Sequence, residues 1–146
     1  MRADERTFAS CRVGHLLVGV EVDAVQEVTS TAELTTVPLA PSMVSGLLNL
    51  RGQIVTAIDL RRSLQLEERP ADERPITLIL RAEGGSIGLL VDAVGDVLNV
   101  GEDDFEMPPA TLRGQLRELI TGAYKLDHGL LLVLNTARIV EDSHGE

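Results

Sequence analysis

Val22-Asp-Ala-Val-Gln-Glu-Val28 and Val91-Asp-Ala-Val-Gly-Asp-Val97 are two copies of one pattern, 69 residues apart. Both read apolar, acidic, small, apolar, variable, acidic, apolar. A second pair follows in the same order, at an offset of 76: Gly46-Leu-Leu-Asn-Leu50 with Gly122-Ala-Tyr-Lys-Leu126, and Ile54-Val-Thr-Ala-Ile-Asp59 with Leu130-Leu-Leu-Val-Leu-Asn135. Arg62 and Arg138 coincide at the same offset. One short identity arises by chance in a Val-rich chain, but two ordered pairs point to an internal duplication, which sets the fold before any single element is read. The change of offset places a seven-residue insertion in the second half, within Gly101 to Gln115.

Working outward, strand signals dominate. Phe8 to Val13, Leu16 to Val22, Leu47 to Leu50, Ile54 to Ile58, Ile76 to Leu80, Ile87 to Val91 and Leu130 to Leu134 are short aliphatic runs bounded by Gly, Pro or charge. Arg51-Gly52-Gln53 reads as a hairpin turn in which Gly52 can take positive φ, and Asp127-His128-Gly129 repeats it. Gly84-Gly85 marks another turn. Asp59 is placed to cap a short helix running to Leu66, with Asn135 to Val140 as its counterpart. Glu67 to Pro75, charged and with two prolines, is predicted to be an exposed connection between approximate halves 8–66 and 76–140. Gly101 to Gln115 is predicted to be a long loop.

Composition removes several functions. The chain has 146 residues and 45 Leu, Val and Ile, against Phe8, Phe105 and Tyr124 as its only aromatics. That is enough apolar material for a core and excludes intrinsic disorder. A net charge of -10 opposes binding to a phosphate backbone, and three aromatics provide no stacking platform for single strands. No apolar run approaches the roughly 20 residues that cross a bilayer, and the residues behind Met1 are charged, so a cytoplasmic protein without direct membrane insertion is expected. Cys11 is alone and reads as a small buried hydrophobe.

No catalytic constellation emerges. His15 and His128 stand at turns and His144 in a polar tail, none at metal-ligand spacing. Glu102-Asp-Asp-Phe-Glu106 lacks the alternating oxygens and central glycine of a calcium loop. Gly84 to Gly88 precedes a strand pattern, so it is no phosphate loop. The expectation is a non-enzyme with no metal and no cofactor.

One stretch is distinctive: Val37-Pro-Leu-Ala-Pro, then Gly46-Leu-Leu-Asn-Leu-Arg-Gly52, a strand, and Asp59-Leu-Arg61. It resembles the signature of CheW-like chemotaxis coupling proteins. Val25-Gln-Glu-Val28, Ile87-Gly-Leu-Leu-Val-Asp-Ala-Val94 and Leu130 to Val140 are similar to further elements of that family, so the resemblance spans about Phe8 to Val140 in order. That family often has Pro where Thr56 stands and Gly where Gln65 stands. The resemblance implies a mostly β fold: two SH3-like five-stranded β-barrel lobes related by internal duplication, with short helices, intertwined in a single domain.

It also implies a non-catalytic adaptor. Such a protein joins the cytoplasmic tip of a chemoreceptor (a methyl-accepting protein) to the regulatory domain of a chemotaxis histidine kinase, as a scaffold in two-component signal transduction. Carried onto this chain, receptor binding falls to Val25, Glu27, Val28, Asn49, Arg51, Val97, Leu98 and Val100, and kinase binding to Glu33, Thr35 and Val37. Gly46 and Gly52 shape loops. Arg51 is open to two readings: a partner contact, or an internal ion pair with Asp59 or Glu27. Val25 and Val28 could equally belong to the core. Two alternative functions remain, a regulatory domain sensing a small ligand between the lobes, or a protein of a non-motility pathway that contacts one partner only.

Overall fold

The structure is a computed structural model that describes residues 5–30, 34–83, 85–108, 110, 112 and 115–142. Strands β1 Arg6–Val13 and β2 Leu16–Glu21 form a hairpin; β3 Val25–Ser30, β4 Val44–Leu50 and β5 Gln53–Asp59 follow, then helix α1 Leu60–Ser63. The second half repeats the order: β6 Ile76–Ala82, β7 Gly85–Val91, β8 Ala93–Val100, the short β9 Phe105–Glu106, helix α2 Gln115–Leu119, β10 Ile120–Leu126, β11 Gly129–Leu134 and α3 Thr136–Asp142.

The strands form two sheets, ordered β8-β1-β2-β11-β10-β9 and β3-β6-β7-β5-β4. Aligned by the duplication these are one topology written twice, the two-residue β9 being the extra strand. The sheets do not follow the sequence halves. Each takes its opening hairpin from the other half: β1–β2 joins β8, β10 and β11, while β6–β7 joins β3, β4 and β5. The registers carry the repeat residue by residue. Leu132 pairs in parallel with Val18 as Thr56 does with Ile87, and these are the positions related by offsets of 76 and 69. Bulges recur at equivalent places, between Val44 and Gly46 and between Ile120 and Gly122.

This exchange explains the aliphatic composition. A strand laid between two cores is buried on both faces, so its sequence is a continuous apolar run. On β6, Leu78 and Leu80 face the main core while Ile79 faces the first-lobe core with Leu48, Val55, Ala57 and Leu90. On β11, Leu132 and Leu134 face the main core, and Leu131 and Val133 face the second-lobe core with Phe8, Val100 and Tyr124. The main core gathers Val13, Val18 and Val20 from one sheet with Ile58, Leu89 and Val91 from the other. Burying such side chains contributes about 1.5–3 kcal/mol each, which ties the sheets together.

The strand list from sequence omits β3, β8, the two-residue β9 and β10, the last present there only as the segment aligned with Gly46–Leu50. β3 and β8 pair on one side only, at the end of a sheet, and β3 alternates half-buried residues with exposed Gln26, Val28 and Ser30. Asp59 caps α1, its side chain accepting from the Arg61 amide at 3.0 Å. Gln65 follows with φ 59, the left-handed conformation that favours the glycine expected there by resemblance. The expected loop at Gly101–Gln115 contains a 3-10 turn at Glu102–Asp104 and β9, and α2 begins at its last residue. The first half answers β9 with a single bridge, Thr35 to Leu47, against Ala123 to Glu106. Two of the seven inserted residues therefore precede that bridge and five follow it. Gly84, Pro109 and His144 lie outside the described residues.

Candidate docking site

The hairpin between β4 and β5 is a two-residue turn closed by the pair Leu50–Gln53. Arg51 and Gly52 both take positive φ, 50° and 86°, the requirement of a type I′ turn. The Asn49 side chain accepts the Gly52 amide at 2.8 Å, so Asn49 stabilises the turn. Held there, Arg51 reaches Glu27 on β3 through two parallel hydrogen bonds of 2.6 Å each. β3 and β4 are the opposite outer strands of their sheet, so this pair clasps the rolled sheet across its mouth. The Arg51 hydrogen bond holds the Glu27 carboxyl below its ordinary value. Of the two readings of Arg51, the structure shows the ion pair with Glu27, and the guanidinium still keeps 70% of its side-chain surface exposed. Fork-to-fork geometry fixes its direction on the surface.

Beside the clasp, Val28 is 47% exposed, and its counterpart in the duplication, Val97, is 56% exposed. Val25 is half-buried against the main core. The remaining positions divide. Leu98 is half-buried against the second-lobe core, turned away from Val97 by strand alternation. Val100 is 5% exposed and enclosed with Phe8 and Tyr124, so it presents no surface to a partner and serves the core instead. Gly46 sits in a strand, not a loop: at the β4 bulge, with φ 155, where an added Cβ would lie 2.7 Å from the Thr35 carbonyl oxygen. That Thr35 carbonyl accepts the Leu47 amide, and the Thr35 amide donates back, both at 2.8 Å. Thr35 is exposed, Val37 half-buried, and Glu33 lies outside the described residues.

Sequence reasoning missed a second polar centre. Asp92, between β7 and β8, accepts Arg61 Nη2 at 2.6 Å, Arg69 Nε at 3.0 Å and the Gly14 amide at 2.7 Å. Arg69 also approaches Asp59 at 3.5 Å. Burial alone would raise the Asp92 carboxyl, but these donors outweigh it and bring the group down to about 2. The centre joins α1, the connector, the β1–β2 turn and the β7–β8 corner. Arg69 falls in the stretch predicted to be exposed, yet keeps only 8% of its side-chain surface. Its one sequence signal is a charged residue inside a connector too short to wander far.

Cys11 is fully buried, which pushes its thiol up to about 11. His15 and His128 are exposed. Among the described residues no group of His, Cys, Asp and Glu is placed to hold a metal ion. No described helix is long and apolar enough to cross a membrane.

The fold is two interlocked SH3-like lobes with an arginine held on a rigid turn and Val28 and Val97 exposed at equivalent positions of the two lobes. The description "CheW-like domain" matches residues 7–144. Chemotaxis protein CheW of Treponema pallidum is 27% identical over 132 residues, covering 88% of this chain and 78% of that one. Chemotaxis protein CheW of Rhizobium meliloti is 32% identical over 104 residues, covering 71% and 67%. The crystal structure of the scaffolding protein TtCheW from Thermoanaerobacter tengcongensis superimposes with a TM-score of 0.78 at 25% identity, over 89% of this chain and 88% of that one. The chain belongs to the CheW-like family.

Proposed function

We propose that this protein is a cytoplasmic, non-catalytic adaptor that couples the cytoplasmic tip of a chemoreceptor to the regulatory domain of a chemotaxis histidine kinase. Family membership across residues 7–144 and relatives named for chemotaxis support the adaptor class. The observation that carries the receptor side is exposed Val28 beside the clasped Arg51, with exposed Val97 at the equivalent position of the other lobe. Aliphatics at such positions receive the apolar stripe of a receptor helix, and the guanidinium offers its outward N–H groups to carbonyls or carboxylates at the rim. Val25, Glu27, Asn49 and Leu98 act behind this surface as supports. Thr35 and Val37, with Glu33, form the kinase-facing side. The acidic surface sets the salt dependence of encounter more than the affinity.

The test is a reconstituted kinase assay with receptor and kinase, with and without this protein. Receptor control of phosphorylation should appear only when it is present. Unchanged control on omission would overturn the reading.

A further inference from the structure

By its strand order the described chain passes from one sheet to the other twice: after β2 through Val22–Ala24 into β3, and after β7 through Asp92 alone into β8. β3 carries exposed Val28 and β8 carries exposed Val97. Each of these strands starts at a crossing, so the spacing of the two valines follows from how the lobes are set there.

The crossings are fastened differently. At the first, Arg81 of β6 donates to the Asp23 and Val25 carbonyls at 2.7 and 3.2 Å, a brace that comes from the first-lobe sheet. At the second, the Asp92 side chain is gripped from both lobes. The Gly14 amide reaches it from the β1–β2 turn of the second lobe at 2.7 Å. Arg61 and Arg69 reach it from the first-lobe segment between β5 and β6, at 2.6 and 3.0 Å. The Asp92 amide donates to the Arg12 carbonyl of β1 at 2.9 Å. Arg69 is the one residue from Glu67 to Arg74 that is not exposed, so the connector is held here by a single side chain. The main core draws the sheets together, but apolar contacts are non-directional and resist separation more than rotation. Charge-assisted hydrogen bonds at a one-residue crossing are directional and resist rotation. The leverage is large. Val97 lies five residues beyond Asp92, about 17 Å along β8, so a turn of about 10° at the crossing displaces it by about 3 Å.

We propose that Asp92 pins the angle between the lobes, with Arg69 as its latch, and that the pair thereby sets the spacing of Val28 and Val97. Both are positioning residues. Their side chains keep only 13% and 8% of their surface, and they act on a partner through the strands they hold in place. The consequence for receptor binding rests on the adaptor reading; the angle itself does not.

The test places spin labels on Gln53→Cys and His128→Cys, exposed positions at the β4–β5 and β10–β11 turns, and reads the angle as a distance distribution in the intact protein. Cys11 is fully buried, and the parent chain should take up no label. One narrow distribution is expected from the doubly labelled protein. Arg69→Gln and Asp92→Asn should each broaden it or move it by about 3 Å or more. Without labels, both should weaken capture of a receptor-tip fragment about tenfold. Val133→Ala truncates the second-lobe core away from the crossing, so it lowers stability and should leave both readouts unchanged. Should Asp92→Asn unfold, Arg69→Gln decides alone. An unchanged distribution with Arg69→Gln, the same broadening with Val133→Ala, or a changed distribution with undiminished capture would each overturn the proposal. A parent protein that captures no receptor tip would sink the adaptor reading, and the distances would still decide the angle.

Discussion

The two lobes share a topology and differ at their mouths. In the first, Arg51 on the hairpin turn clasps Glu27 across the rolled sheet. In the second, the equivalent positions are Asp127 and Asp96, two carboxylates, and among the described residues no ion pair joins them. Both aspartates instead line an open groove together with Leu98, Leu126 and Leu130. A buried difference runs alongside. The Asp92 carboxylate holds two arginines where, among the described residues, that of its counterpart Asp23 has no ion-pair partner, Ala137 standing where Arg61 stands. One duplicated scaffold therefore carries two charge ties, the Arg51–Glu27 clasp and the Asp92 centre, that the equivalent positions do not repeat among the described residues. The lesson is that duplication preserves backbone pairing, which hydrogen-bond register enforces, and frees surface side chains to diverge.

The sharpest way to break this comparison is Asp92→Ala. It strands two guanidinium groups that are 13% and 8% exposed, and should cost about 3 kcal/mol in urea unfolding, whereas Asp23→Ala should stay within about 0.5 kcal/mol. Equal losses would deny the asymmetry. Next come the two bulge glycines. Gly46→Ala meets a backbone oxygen at 2.7 Å with φ 155 and should cost about 2–3 kcal/mol. Gly122→Ala meets the Phe105 ring at 2.5 Å, a half-exposed side chain that can swing away, and should cost about 1 kcal/mol by the same measurement.

On the binding side, Arg51→Ala should weaken capture of a receptor-tip fragment about tenfold while leaving the circular dichroism spectrum unchanged. Asp127→Ala should have no such effect. Acid provides a finer probe. The folded Asp92 carboxyl titrates near 2, below the roughly 3.9 of an unfolded aspartate, so its contribution is complete above about pH 4 and is lost as pH falls toward 2. Stability curves across that window should be flatter for Asp92→Asn than for the parent. The smallest effect is expected from Asp127→Arg, which sets a guanidinium opposite Asp96 and should slow amide exchange along β8 slightly.

Much of the fold was legible in the sequence because strands buried on both faces write continuous aliphatic runs. Ile76 to Leu80 and Leu130 to Leu134 announce themselves. β3 and β8 do not, since an outer strand with one solvated face mixes Val with Gln, Glu, Asp and Asn. The turn at Arg51-Gly52 was readable from glycine chemistry, and the Glu27 partner stood among the alternatives. Arg69 was not readable, because nothing local marks a connector arginine that will be buried 23 residues from its carboxylate. Nor was the enclosure of Val100, which follows from strand phase after a bulge whose position only the pairing reveals.

By itself the sequence determined that the chain is one pattern repeated, where most of its inner strands run, how its tight turns close, and that its core is aliphatic. These depend on periodicity and φ preferences, which act over a few residues. Only the tertiary structure decided that the halves exchange their opening hairpins, that Arg51 closes one mouth while the other stays open, and that Asp92 gathers two arginines from distant segments. Those outcomes depend on contacts between residues far apart in the chain, and no local pattern encodes which of two equivalent hairpin partners a strand will choose.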